Sequence, residues 1–375
     1  MKKTCIKRAF GVVSMILAVW ALIASCARGD RNYLTVRAFY QEPRDSLDVV
    51  FLGASEVSTD VSSAYAYELS GLTSYQFGID SNLPSVYLSQ LQDILSRQKP
   101  QLIVVEVNGF LIGPGNDLYE EAMLRTYLDP TPLTRHKWET LSRLHLQGDY
   151  YTYIMPFFNS HAQWEHPRAL FTNILSLQEI RARGYSLFKG YLTKPERMAA
   201  DGPSLLPSAE EKLPLSSDEV CRLLQEFTCY CADNDLPVVF ARFPHHLSEK
   251  REANAYRRFL SLKEQLAEEG FHVLDLQELQ DEIGLQDEDY YNASHLNLYG
   301  QEKLTAYLID LFREEYGVTP HTLAASEREN WDNCVAYYKQ IHRMAKENMD
   351  FETRFILEET PIVHRLRRGM TEAGA

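Results

Sequence analysis

Five short apolar runs, residues 47–53, 74–79, 102–107, 236–243 and 271–276, are separated by helical patterns such as 85–98, 218–234 and 252–269. This alternation constrains the fold more than any other feature of the chain. A run of about 4–8 apolar residues bounded by polar residues reads as a strand buried on both faces, and strands of that kind belong to parallel sheets covered by helices. The expected architecture is an α/β fold: a three-layer α/β/α sandwich around a five-stranded parallel sheet. A chain of 375 residues can bury one large core of this type with an insertion as a subdomain.

Two residues stand where such a fold does chemistry. Ser46-Leu-Asp-Val-Val-Phe-Leu-Gly53 is a buried-strand run, and Ser55 lies just past its carboxyl end. In open α/β sheets ligands bind in the crevice beyond those ends. Far downstream, Asp289-Tyr-Tyr-Asn-Ala-Ser-His-Leu-Asn-Leu-Tyr-Gly300 places His295 in a loop before a helical pattern over 296–311, with Asn292 three residues earlier. A serine hydroxyl needs a neighbouring base to become a nucleophile, and histidine titrates in the range that serves. Taken singly, they read as a turn serine and a loop histidine; the strand context and the order of the two segments favour one shared site.

The two segments together resemble the SGNH, or GDSL-like, hydrolase superfamily. Gly53-Ala54-Ser55 looks like that family's first block, Gly78 in Tyr75-Gln-Phe-Gly-Ile79 like its second, and Asn292-Ala-Ser-His295 like its last. More closely, Phe51-Leu-Gly-Ala-Ser55 and His295-Leu-Asn-Leu-Tyr-Gly300 are similar to a branch of membrane-anchored bacterial envelope proteins that includes the DltD-like and AlgX-like acyl-transfer proteins. The resemblance covers about residues 45–315. It implies strand order 2-1-3-4-5, as in flavodoxin-like folds, with Ser55 as nucleophile, His295 as base and Asn292 as its orienting partner. Amides of Ser55 and Gly78, with Asn108, would form the oxyanion site.

The chain departs from the family pattern in two places. Asn292 stands where the family normally has aspartate. An amide orients an imidazole but cannot offset its developing charge, and the same exchange in a serine protease costs about 10⁴ in kcat. Asp287, Glu288 or Asp289 would substitute if the loop folds back. The third block, Gly-x-Asn-Asp, is also out of register: after the run 102–107 its asparagine would fall near Phe110, whereas the chain offers Asn108 and, later, Asn116, of which Asn108 is preferred.

The insertion over 111–215 is too long for a simple crossover. Its aromatic stretch Tyr150-Tyr-Thr-Tyr-Ile-Met-Pro-Phe-Phe158, followed by His161-Ala-Gln-Trp164, reads either as packing that seats the insertion on the sheet or as a cap over the site, with His161 and Trp164 reaching substrate. His245 and His246 follow the fourth run and read as a solvated pair or as site residues. Helical patterns over 324–348 and 351–367 form a C-terminal helical extension, 317–375, that packs on the domain or meets a partner.

Residues 1–30 form a targeting segment. Met1-Lys-Lys-Thr-Cys-Ile-Lys-Arg8 is basic, and the apolar stretch 9–27 has about the length of a bilayer span. Basic residues before the span favour a cytoplasmic N-terminus and an extracytoplasmic domain. Two fates are open: a single-pass signal anchor, which is preferred, or a lipoprotein acylated at Cys26 in Ile23-Ala-Ser-Cys26. Residues 31–45 would be a polar tether and 46–316 the SGNH-like domain. The formal net charge is −14, and residues after the targeting segment carry about −18. Such an acidic domain lacks the basic footprint that nucleic-acid binding demands. Cys221, Cys229, Cys231 and Cys334 show no metal-binding spacing and read as buried structural cysteines; no metal and no cofactor is implied.

The sequence therefore leads to two expectations. One is a membrane-tethered serine esterase or O-acetyltransferase acting on an acylated envelope glycan or a small ester. The other is a non-catalytic protein of the same fold that binds envelope polymer or assists a membrane-bound acyltransferase.

Overall fold

The computed structural model describes residues 11–15, 31–144, 151–154, 178–198 and 202–347. Strands β1 (Val49–Gly53), β2 (Ser74–Gly78), β3 (Leu102–Glu106), β4 (Val238–Arg242) and β5 (His272–Asp275) form one parallel sheet in the order β2-β1-β3-β4-β5. The fold is the α/β sandwich that the alternation predicts. Period-two geometry sends Val50, Leu52, Ile103, Val105 and Phe240 to one face and Val49, Phe51, Leu102, Val104 and Val239 to the other. Helices Arg31–Phe39, Pro84–Arg97, Asp218–Asp233 and Lys250–Glu268 supply apolar residues to the first face, and Leu298–Glu314 to the second. Each Val, Leu or Phe buried this way contributes about 1.5–3 kcal/mol.

The order reverses at β1: β2 lies on one side of it and β3 on the other. The crevice between the loops leaving β1 and β3 is where a ligand site is expected in such a sheet. Ser55 opens the short helix Ser55–Thr59 directly after β1, and a 3₁₀ turn, Asn108–Leu111, follows β3.

His295 lies in a strand. β6 (Tyr290–Asn292) and β7 (His295–Leu296) form a small antiparallel ribbon that pairs Asn292 with His295 across a two-residue turn. The following helix starts at Leu298, later than the periodicity predicts, because the Asn297 side chain caps it by accepting from Tyr299 N and Gly300 N.

Three expectations are corrected. Residues 31–45 are not a tether: Arg31–Phe39 is a helix with Val36 and Phe39 fully buried, and Tyr75 Oη donates to Thr35 O at 2.7 Å. His245 and His246 are not solvated; both are fully buried. Of the four cysteines expected to be buried, Cys231 and Cys334 are, whereas Cys221 and Cys229 are exposed.

Part of the long insertion closes the sheet edge. Gln76 N of β2 donates to Lys189 O at 2.8 Å, and the Lys189 ammonium pairs with Glu42 in the core at 2.6 Å. Gly190, at φ +85°, lies so close to Gln76 O that a Cβ would not fit. Helix Ala325–Glu347 packs on the domain through Trp331, Cys334, Tyr338 and Ile341. The helical pattern 351–367 lies outside the described residues. So does the apolar stretch 9–27 apart from residues 11–15, and Cys26 with it. Among the described residues no helix is long and apolar enough to cross a membrane.

Candidate active site

The chain brings Ser55 and His295 together across 240 residues of sequence: the hydroxyl and the imidazole Nε2 are 2.7 Å apart. On the other side of the ring, Nδ1 is 2.8 Å from Asn292 Oδ1. That same oxygen accepts from Ser294 N at 2.9 Å, which settles which end of the amide faces the ring. An oxygen there calls for a hydrogen on Nδ1, so Nε2 carries the lone pair that faces the Ser55 hydroxyl. Burial lowers the His295 pKa below its ordinary value against an opposing pull from Glu56, so the ring is neutral at pH 7 and available as a base.

Three ties hold the ribbon in place beside Ser55. Leu296 N donates to Asp60 Oδ1 at 3.0 Å, joining β7 to the residue that caps the Ser55–Thr59 helix. His246 N donates to Ala293 O at 2.8 Å, and Ser294 Oγ to Glu252 Oε1 at 3.1 Å. None of Asp287, Glu288 or Asp289 takes the place of Asn292. Asp289 is buried against Lys303 and Gln286 N, and Asp287 lies 3.3 Å from His246. Glu288 contributes its carbonyl to the Asn297 side chain.

The Ser–His pair opens into a cavity of about 400 Å³ lined by Asn82, Asn108, Ile112 and Asn292 among others. Asn108 donates from Nδ2 to Glu56 Oε1 at 2.5 Å and accepts Arg242 at Oδ1, 2.8 Å, which leaves its second N–H for a ligand. Asn82 has no such spare donor, because its amide hydrogens go to Gly53 O and Gln90 Oε1. Ser55 opens a helix, so its N–H lies outside the intrahelical ladder.

Gly78 does not belong to the cavity wall; residues 81–83 supply that side. Its carbonyl accepts from Ser58 Oγ, and a Cβ there would collide with Ser58 and with Ala54 O at 2.8 Å. The glycine serves the close packing of the Ser55–Thr59 helix on β2. Asn116 also lines the cavity, with its amide donating to Gly113 O at 2.7 Å. His161 and Trp164 lie outside the described residues.

A buried charge network underlies the site, and sequence reasoning missed it. Glu106 ends β3 and accepts Ala54 N at 3.1 Å and Asn108 N at 2.5 Å, binding the two site loops to one carboxyl. Burial, reinforced by Glu56, raises its pKa well above the usual range, which favours the protonated form. Glu56 is the ionised member: burial alone would raise it, but His245 and then His295 outweigh that and hold it at about 2. His245 lies between two carboxylates. Its Nδ1 is 2.5 Å from Glu252 Oε2, and its Nε2 is 3.1 Å from Glu56 Oε1. Arg242, fully buried at the end of β4, uses one nitrogen on Asn108, and its Nε and second terminal nitrogen have no hydrogen-bond partner among the described residues.

One signal for this network is present in the sequence: Glu106 and Arg242 are charged residues near the ends of otherwise apolar runs, which calls for a buried partner. Among the described residues no cluster of three or more potential ligands could hold a metal ion. Compared with models of known protein families the chain matches none, and a search of curated proteins finds no match.

Proposed function

We propose that this chain is an SGNH-like serine enzyme that transfers or hydrolyses an ester, most naturally an O-acetyl group on a glycan of the cell envelope. The observation that carries the reading is the Ser55 Oγ to His295 Nε2 contact of 2.7 Å at the mouth of an open cavity, beyond the carboxyl end of β1. In this reading Ser55 Oγ attacks the acyl carbonyl carbon while its proton passes to Nε2. The oxyanion is met by Ser55 N–H and the free Asn108 N–H. Collapse expels the alcohol, which leaves with the proton from His295. A water molecule or a sugar hydroxyl then attacks the acyl-serine with His295 again as base. Hydrolase and transferase differ only in which hydroxyl enters.

The reading includes place and partners. The basic N-terminus and the apolar stretch 9–27 fit a signal anchor, with acylation at Cys26 as the other route, and either would hold the acidic domain at the outer face of the cytoplasmic membrane. An acylated glycan or a small ester is the substrate, and a membrane-bound acyltransferase is a suitable partner. The test is the rate of p-nitrophenyl acetate and acetylated-glycan turnover by the purified full chain in detergent, with Ser55→Ala as control. Hydrolysis that disappears in the variant supports the reading; equal rates for both proteins would sink it.

A further inference from the structure

We propose that Glu56, the residue after the nucleophile, supplies the negative charge that Asn292 cannot, so that the site is a serine–histidine pair balanced from the Ser55 side. The inference rests on the acyl-transfer reading above. Glu56 Oε2 lies 3.3 Å from Ser55 Oγ, and Ser55 Oγ lies 2.7 Å from His295 Nε2, so carboxylate and imidazole are at most 6.0 Å apart. The carboxylate is 1% exposed, so little solvent screens it. Its other oxygen is held by Asn108 and faces His245, whose far nitrogen is held by Glu252. The chain Glu252, His245, Glu56 fixes the charge beside the reacting hydroxyl.

The serine proton still goes to His295 Nε2. Glu56 takes no proton; it remains ionised and attracts the imidazolium that forms. The charged groups acting on His295 come from several elements. Glu56 on the helix after β1 and Asp80 after β2 favour its cation, while His245 after β4 and Arg31 on the first helix oppose it. Arg251 on the cavity wall is a further cation. Of the two carboxylates, Glu56 has the larger influence.

The test is the pH profile of kcat/KM, with kcat, for Glu56→Gln and for Glu56→Gln combined with Asn292→Asp. Glutamine keeps the shape and removes the charge. It is expected to lower kcat by about 100-fold and to move the acid limb to lower pH. A carboxylate placed at residue 292 in that background is expected to recover most of the rate and return the limb upward. An unmoved limb, or a loss that Asn292→Asp leaves unrelieved, overturns the proposal, because a merely structural glutamate would not be rescued from the other side of the ring.

If Ser55→Ala turns over as fast as the parent chain, the acyl-transfer reading fails by itself. NMR titration of the His295 imidazole then still decides the charge question: a lower midpoint in Glu56→Gln supports it and an unchanged midpoint overturns it. Should Glu56→Gln fail to fold, Asn292→Asp alone carries the test. A gain held to about 100-fold is expected, and a gain near the full ~10⁴-fold overturns the proposal.

Discussion

Replacing Asn292 with aspartate adds a carboxylate on the Nδ1 side of His295 with little change of shape. Both contacts made by Asn292, to His295 Nδ1 at 2.8 Å and to Ser294 N at 2.9 Å, use Oδ1, which aspartate keeps. In a serine protease the aspartate–asparagine difference is about 10⁴ in kcat, or roughly 5.5 kcal/mol. Here part of that stabilisation is already present. With at most 6.0 Å between the Glu56 carboxylate and Nε2, an effective dielectric near 20 makes their attraction about 3 kcal/mol. The remainder, about 2.5 kcal/mol, corresponds to a gain of roughly 10–100-fold in kcat for Asn292→Asp. The new charge also favours the imidazolium, so the acid limb of kcat/KM moves up in pH. The assay is ester turnover from pH 4 to about 9, the range in which histidine and its carboxylate neighbours titrate. A gain approaching ~10⁴ would show that Glu56 contributes nothing, and a loss of activity would show that Asn292 does not face His295 during the proposed reaction.

Other consequences follow from the same geometry. Asn108→Ala removes the proposed oxyanion donor and is expected to lower kcat by about 10²–10³, with KM little changed; an effect on KM alone would place Asn108 in ground-state binding. Because burial lowers the His295 pKa and the ring must be neutral to act, kcat/KM of the natural chain should rise with pH through a midpoint below 6.5. A limb centred above that value contradicts the assignment of His295 as base. Gly53→Ala places a Cβ 2.6 Å from Glu106 Cβ and 2.8 Å from Val57 Cγ2, so denaturant unfolding should show a loss of about 1–3 kcal/mol. No change in stability would mean that β1 and β3 separate more easily than their packing implies.

The parts legible in the sequence were those whose signal is local. The strands read as continuous apolar runs because each is buried on both faces, and the Ser55 and His295 segments, which meet at 2.7 Å, each sit at a chain feature a single sequence exposes: Ser55 past a strand end, His295 before a capped helix. The misreadings come from burial by distant residues. Residues 31–45 are polar in composition, yet Val36 and Phe39 point inward against Tyr75 and Phe77. His245 and His246 look solvated as neighbours in a loop, but Glu252 and the ribbon residue Ala293 enclose them. Glu56 is silent in sequence because its partners, Asn108 and His245, lie 52 and 189 residues away and meet it only once three strand ends converge.

In the proposed reaction Ser55 becomes acylated with His295 as its base. The most direct measurement is intact-mass analysis with peptide mapping of the full chain quenched during turnover of p-nitrophenyl acetate, compared with Ser55→Ala and with His295→Ala. One added acetyl group is expected, located on Ser55, absent from Ser55→Ala and formed far more slowly in His295→Ala. Acetyl found on other residues at the same rate in all three proteins, with Ser55 unmodified, would contradict that reaction.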